Sequence, residues 1–246
     1  MKRNIIYLLT LVSQMFSASA AEPSWDLYGK LLTEHVSTAS NHHGITLNWV
    51  NYSKLKNDPD FAKLIKQIED FSPENLKTKK EKLAFYINAY NVLAMKIVVD
   101  NWPVKSIKDA GSLFKSVWKK DAGKIGGKTV TLNEVEHKIL RPMGDSRIHM
   151  AIVCASVSCP DLRKEPYTGT KLNEQLNEQT KSFLSNSQKG LLIDGNKART
   201  SQIFDWFKED FQANGGVEGF IRQYTVLAPD ENLKANLPYD WTVNGE

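Results

Sequence analysis

The chain has 246 residues, 41% of them hydrophobic and 24% charged. That is the balance of an ordinary globular protein and unlike that of a disordered polymer, a collagen-like repeat or a polytopic membrane protein. Lys and Arg number 32 against 28 Asp and Glu, for a net charge of +4. The lysines are scattered rather than set in a stripe with aromatic residues, so no nucleic-acid partner is expected.

Lys2 and Arg3 are followed by a short apolar run from Ile5 to Val12 and the small-x-small site Ala18-Ser19-Ala20. This pattern predicts a secretory signal peptide over 1–20, too short to serve as a membrane span, and a globular domain over 21–246. The expected destination is the periplasm or the exterior. No cysteine follows the run for a lipid anchor, and no span is expected after cleavage.

Ser24 can cap a helix with Leu27, Leu31 and Leu32 on one face, and Asn41-His42-His43-Gly44 reads as a turn. Ile45, Leu47 and Trp49 alternate as in a half-buried strand. Asp58-Pro59 opens a helix with Phe61, Leu64, Ile65, Ile68 and Phe71 on its apolar side, and Ser72-Pro73 breaks it. A more apolar helix, predicted from Thr78 to Val99, belongs at the centre of the fold, and Trp102-Pro103 ends it. An aromatic segment around Phe114 and Trp118 leads to the hairpin signal Ile125-Gly-Gly-Lys-Thr-Val130, and Thr131-Leu-Asn-Glu134 is a capping box opening a helix with Val135, Ile139 and Leu140, which Arg141-Pro142 closes. Arg147 to Ala155 reads as a buried strand. A helix carrying Leu172, Leu176, Phe183 and Leu184 follows, then a strand from Leu191 to Ile193 with the turn Asp194-Gly195-Asn196. Ser201 can cap a helix with Ile203, Phe207 and Phe211 inward and Asp205, Glu209 and Asp210 on its solvated face; a short helix at Phe220-Ile221-Tyr224 and an aromatic tail from Pro238 to Val243 complete the chain. These elements predict a single α+β domain, with several helices around a central apolar helix packed on a small, mostly antiparallel sheet.

Three clusters carry chemistry. Asn88 and Asn91 share a face of the apolar helix, where a buried amide without partners costs about 1–3 kcal/mol, so both need partners: substrate or oxyanion, or neighbouring backbone. Glu136-His137 stands one turn before Arg141, suited to anion recognition or to a structural charge network. His149 precedes Cys154 and Cys159, which invites a thiolate–imidazolium pair. On a regular strand, however, His149 and Cys154 would face opposite sides unless a bulge intervened. An oxidising compartment equally favours a Cys154–Cys159 disulfide as a local clip. No metal or cofactor is expected: His42-His43 are adjacent, no HExxH or carboxylate-rich loop accompanies them, and neither Gly126-Gly127 nor Gly215-Gly216 belongs to a phosphate-binding loop.

In order along the chain, Tyr86-Ile-Asn-Ala-Tyr-Asn91, Glu136-His-Lys-Ile-Leu-Arg141, His149-Met-Ala-Ile-Val-Cys154, Ser158-Cys159-Pro160, Ile203-Phe-Asp-Trp-Phe207 and Asp210-Phe211 resemble domain of unknown function 547, DUF547, from roughly Trp49 to Trp241. A looser similarity is to the papain/transglutaminase-like thiol hydrolases, which set a central helix against a small sheet bearing a histidine. Those enzymes carry the cysteine at the start of the central helix, whereas this helix has none, so a thiol enzyme here implies a rearranged site.

The expected function is thiol-dependent peptide hydrolysis or acyl transfer, with Cys154 as nucleophile, His149 or His137 as base and Asn88 as orienter or oxyanion donor. Asn91, Arg141, Glu136 and Cys159 are the expected substrate-binding residues. The rival expectation is a non-catalytic envelope protein that binds a peptide, a glycan or another protein, with the cysteines as a structural clip.

Overall fold

The computed structural model describes residues 22–112, 115–227 and 232–246, so the signal segment expected at 1–20 and Phe114 lie outside the described residues. In chain order the elements are α1 (Asp26–His35), β1 (Val36–His42), β2 (Ile45–Val50), α2 (Tyr52–Leu55), α3 (Pro59–Asp70) and α4 (Lys79–Asp100). They continue with β3 (Asp121–Ile125), β4 (Lys128–Thr131), α5 (Leu132–Glu134), α6 (Leu172–Ser185), β5 (Leu191–Asp194), β6 (Lys197–Thr200), α7 (Ile203–Trp206), α8 (Gly216–Arg222) and β7 (Asn232–Ala235). The fold is α+β. Its strands are divided among the β1–β2 hairpin, the β3–β4 hairpin and a three-stranded sheet in which β6 pairs antiparallel with β5 and parallel with β7.

Local chemistry sets the element starts. The Asp58 side chain accepts from Asp60 N–H with Pro59 in the first turn, and Thr78 and Glu81 close a reciprocal capping box on α4. Fifteen residues of α4 are buried, among them Leu83, Phe85, Ile87, Val92, Leu93 and Val98, so the helix is apolar nearly all round because protein surrounds it. By length and composition it is the one described helix fit to cross a membrane, yet 83% of its apolar stretch is buried inside the fold. The larger core forms about it, and a second core gathers Phe183, Phe204, Phe211, Phe220 and Ile221. Ala151 belongs to the first and Met150 to the second, so the chain between them runs along the seam of the two cores.

That segment differs from the strand expected at Arg147 to Ala155. It is a 3-10 turn, Ser146–Met150, capped by Asp145, followed by irregular backbone. The run is buried as its apolar residues demand, but its backbone groups go to a side chain: Asn91 Nδ2 donates to the Ala151 carbonyl at 3.0 Å, and Val153 N–H donates to Asn91 Oδ1 at 2.8 Å. The strand geometry that would have separated His149 from Cys154 therefore does not apply.

Two other windings depart from the expected helices. After the capping box of Thr131 and Glu134, the chain at Val135–Leu140 is π-helical, which turns Glu136 inward and leaves Ile139 half-buried. The helix expected from Ser201 through Phe211 stops at Trp206, and Lys208–Asn214 continues as a 3-10 turn ended by Gly215 in the left-handed region, φ 81°.

The C-terminal tail lies alongside the cysteine segment. Val157 N–H donates to the Thr242 carbonyl at 2.8 Å, Ser158 N–H to Asp240 at 3.2 Å and Asn244 N–H to Ala155 at 3.2 Å. Beyond it, Val50 N–H donates to Asn244 and Glu246 N–H returns to Val50, tying the tail to the end of β2.

Candidate functional site

A cavity of about 320 Å3 opens at the seam, lined by Tyr90, Trp118, Glu136, His137, His149, Ile152, Cys154, Cys159, Ile203, Trp206, Phe207, Tyr239 and Trp241. The lining comes from α4, the 3-10 turn Val117–Lys119, the π turn, the seam, α7 with the residue after it, and the C-terminal tail. Five residues singled out in the sequence meet here: Cys154, Cys159, His149, His137 and Glu136.

Both cysteines are free thiols, Cys154 partly exposed and Cys159 buried. Their sulfurs lie 2.8 Å apart, against about 2.05 Å in a disulfide. The Cys154 N–H donates to Cys159 Sγ at 2.9 Å, while Ser156 Oγ and Tyr239 Oη stand 3.1 and 3.2 Å from Cys154 Sγ. Burial opposes ionisation of Cys154, but hydrogen bonds from Cys159, Ser156 and Tyr239 outweigh it and hold the thiol below its ordinary range. Cys159 moves the other way, raised by burial and by the neighbouring Cys154 sulfur. Ala155, directly after Cys154, has φ 55°, a left-handed conformation that costs a non-glycine residue on the order of 1 kcal/mol. The hydrogen bonds to the tail on both strands of the contact hold it there.

His149 is buried, its side chain 1% exposed and its ring stacked on Phe207 with centroids 4.1 Å apart. Its Nε2 lies 2.7 Å from Asp210 Oδ2. Arg141 grips the same carboxylate with two bonds, Nε to Oδ2 at 2.6 Å and Nη2 to Oδ1 at 2.8 Å. Burial works against the Asp210 charge, yet bonds from His149 and Arg141 hold its carboxyl well below the usual range. For His149, burial outweighs the Asp210 contact and lowers the imidazole, so the neutral form, with Nε2–H on the carboxylate and a lone pair on Nδ1, prevails at neutral pH.

Arg141 also donates from Nη1 to His137 Nδ1 at 2.7 Å. An arginine has no acceptor, so His137 is held as the Nε2–H tautomer. Burial, then the Arg141 cation, lowers its imidazole and keeps it neutral. Next to it, Glu136 is 6% exposed and accepts from Tyr90 Oη at 3.2 Å. Burial raises its carboxyl to about 7, above the pull of the Tyr90 bond. The site thus holds a lowered thiol, a neutral imidazole on a carboxylate, a neutral imidazole N–H donor and a carboxyl half protonated near pH 7.

Residues 73–184 match the model of a family described as a protein of unknown function, DUF547. Over these residues the chain is similar to that family. The DUF547 match takes in α4, the π turn, both cysteines and most of α6, and it stops before Asp210, Tyr239 and Trp241, which reach the cavity from later in the chain. No curated protein and no solved structure matches the chain. The looser likeness to papain/transglutaminase-like hydrolases rests on the sequence motifs alone.

The two asparagines of α4 both bind backbone. Asn88 Nδ2 donates to the Tyr167 carbonyl at 2.8 Å and its Oδ1 accepts from Tyr167 N–H at 2.9 Å, away from the cavity lining. Asn91 holds the segment leading into Cys154, and Arg141 reaches the site through Asp210, His137 and the face of the Phe207 ring. Sequence reasoning assigned Asp210 to a solvated helix face. The 3-10 winding instead turns it to His149, while Asp205 and Glu209 stay exposed. Asp210-Phe211 stands among the motifs that carry the family resemblance, which is the signal that marked it. Tyr239, Tyr90 and Ser156 were not singled out. Elsewhere among the described residues, Glu34, His35 and Asp58 bring ligand-type atoms within 4.8 Å of one another; the His35 Nε2 is already bonded to Asp58, and none of the three lines the cavity.

Proposed function

We propose that this chain is an exported thiol-dependent acyl-transfer enzyme, acting as a peptide hydrolase or acyl transferase, with Cys154 as nucleophile. The observation that carries the reading is that a hydrogen-bonded, lowered thiol shares one cavity with an imidazole fixed on a carboxylate, although Cys154 and Tyr239 are 85 residues apart and His149 and Asp210 are 61 apart. His149 serves as base, and Asp210, rather than Asn88, orients it.

In the first step His149 Nδ1 takes the Cys154 proton, and the resulting thiolate attacks the substrate carbonyl carbon. The C–N or C–O bond to the leaving group breaks, a thioester remains on Cys154, and the proton held by His149 passes to the leaving group. Water or an amine, deprotonated by His149, then attacks the thioester and releases Cys154. The neutral His137 Nε2–H and protonated Glu136 are the donors for the carbonyl oxygen as negative charge develops on it.

The rival reading, a binding protein for a peptide, a glycan or an envelope partner, is favoured by the exposed ring of Trp206, 43% accessible and stacked on Trp241 at 5.6 Å. Cys154→Ala separates the two. A panel of acyl-electrophile peptide probes and p-nitrophenyl esters should label or turn over with the reduced wild type and with neither Cys154→Ala nor His149→Ala. Turnover that survives Cys154→Ala in a folded protein overturns the thiol mechanism.

A further inference from the structure

The asymmetry of the two cysteines goes beyond acyl chemistry. Cys154 is partly exposed to the cavity, with Ser156 Oγ and Tyr239 Oη within hydrogen-bond distance of its sulfur, whereas Cys159 is buried directly behind it, with the sulfurs 2.8 Å apart. Closing that distance to a disulfide bond takes about 0.75 Å of movement. The Cys154 N–H already points at Cys159 Sγ, and the turn is braced by Cys159 N–H on the Ser156 carbonyl. An exposed attacking sulfur with a buried resolving sulfur in contact is the arrangement that thiol–disulfide exchange requires.

We infer that Cys154 and Cys159 form a reversible dithiol–disulfide couple that takes a low-molecular-weight disulfide as its co-substrate. The Cys154 thiolate attacks one sulfur of the small disulfide; that S–S bond breaks, and one small thiolate departs. The Cys159 sulfur then attacks Cys154 Sγ, the mixed S–S bond breaks, and the second small thiolate leaves with the Cys159 proton. The protein loses two protons and two electrons, and the small disulfide gains them as two thiols. In the oxidised form the Cys154 electron pair is bonded, so the acyl chemistry proposed above is switched off; this last clause rests on that proposal, and the couple itself does not.

The probe is oxidised glutathione, added to the reduced full-length processed protein and followed by intact-mass spectrometry. Wild type is expected to lose two hydrogens without accumulating a glutathionyl adduct. Cys159→Ser, lacking the resolving sulfur, is expected to accumulate one glutathione on Cys154, and Cys154→Ser to stay unmodified over the same period. Cys159→Ala repeats the trapping should the serine variant unfold, with circular dichroism as the check on folding. A persistent glutathione adduct on wild type, wild-type reactivity in Cys154→Ser, or no reaction of folded wild type overturns the couple. Labelling by acyl-electrophile probes before and after oxidation tests the switch separately. Labelling lost on oxidation and restored by dithiothreitol supports the switch, and unchanged labelling of the disulfide form refutes it. A protein that oxidises as expected but never reacts with acyl probes leaves the couple standing and removes the acyl reading.

Discussion

Replacing Asn91 with alanine tests how the fold delivers Cys154 to the cavity. Asn91 is 2% exposed and satisfies the carbonyl of Ala151 at 3.0 Å and the N–H of Val153 at 2.8 Å. Alanine leaves both groups buried without partners, and each such loss costs about 1–3 kcal/mol. The summed penalty, roughly 2–6 kcal/mol, is a large share of the ~5–15 kcal/mol that stabilises a typical domain. At ~2–4 °C per kcal/mol for a chain of this size, Tm should fall on the order of 10 °C. Asn88→Ala is the matched control, since Asn88 satisfies the N–H and the carbonyl of Tyr167 in the same way. Both variants should lose similar stability in urea titrations. Only Asn91→Ala should also change the iodoacetamide rate of Cys154, because it alone frees the backbone one residue away. A stability loss for Asn91→Ala within about 0.5 kcal/mol of zero, the range of neutral surface substitutions, refutes the reasoning. So does an equal change in Cys154 reactivity in Asn88→Ala.

Glu136, whose carboxyl is raised from 4.5 to about 7 by burial, takes up a proton more readily folded than unfolded. Stability from this group is therefore lost as pH rises from about 4.5 through 7, and Glu136→Gln should flatten that decline and be the more stable protein at pH 8 in urea midpoints; an unchanged slope refutes it. Asp210 has the opposite sign: held low by His149 and Arg141, it stabilises the fold above the usual carboxylate range and loses that contribution as pH falls through it. Asp210→Asn should shrink the acid-side loss of stability below about pH 4 and slow probe labelling of Cys154 at neutral pH, and labelling at the wild-type rate would argue against His149 as the base. Trp206→Ala should leave Tm nearly unchanged, because the ring is 43% exposed, while weakening capture of peptide or ester substrates, read as a raised KM; an unchanged KM removes the aromatic wall from recognition.

Much of the architecture is written in local signals. Thr78 with Glu81, Thr131 with Glu134, Asp58-Pro59 and the Gly126-Gly127 turn each act over a few residues, so their elements start where the sequence places them. The apolar run from Arg147 to Ala155 shows the limit of that reading. Apolar pattern reports burial, not which groups bond the backbone, and here a side chain from α4 takes the place of a neighbouring strand. Cys154, His149, His137 and Glu136 were legible as chemistry-bearing residues because their types stand out in a short span. Asp210 and Tyr239 were not, since their roles depend on contacts 61 and 85 residues away in sequence and, for Asp210, on a turn wound as 3-10 rather than α. The π winding at Val135–Leu140 is equally silent in the sequence, yet it is what turns Glu136 into the cavity.

The measurement that bears most directly on the account is the pH dependence of Cys154 alkylation by iodoacetamide in the fully reduced protein, read by peptide mass spectrometry. An ordinary thiol titrates near about 8.5. The hydrogen bonds from Cys159, Ser156 and Tyr239 predict a midpoint clearly below that value for Cys154, with Cys159 unreactive throughout. A midpoint at or above the ordinary value, or alkylation of Cys159 ahead of Cys154, would contradict a nucleophilic thiol at the centre of this site.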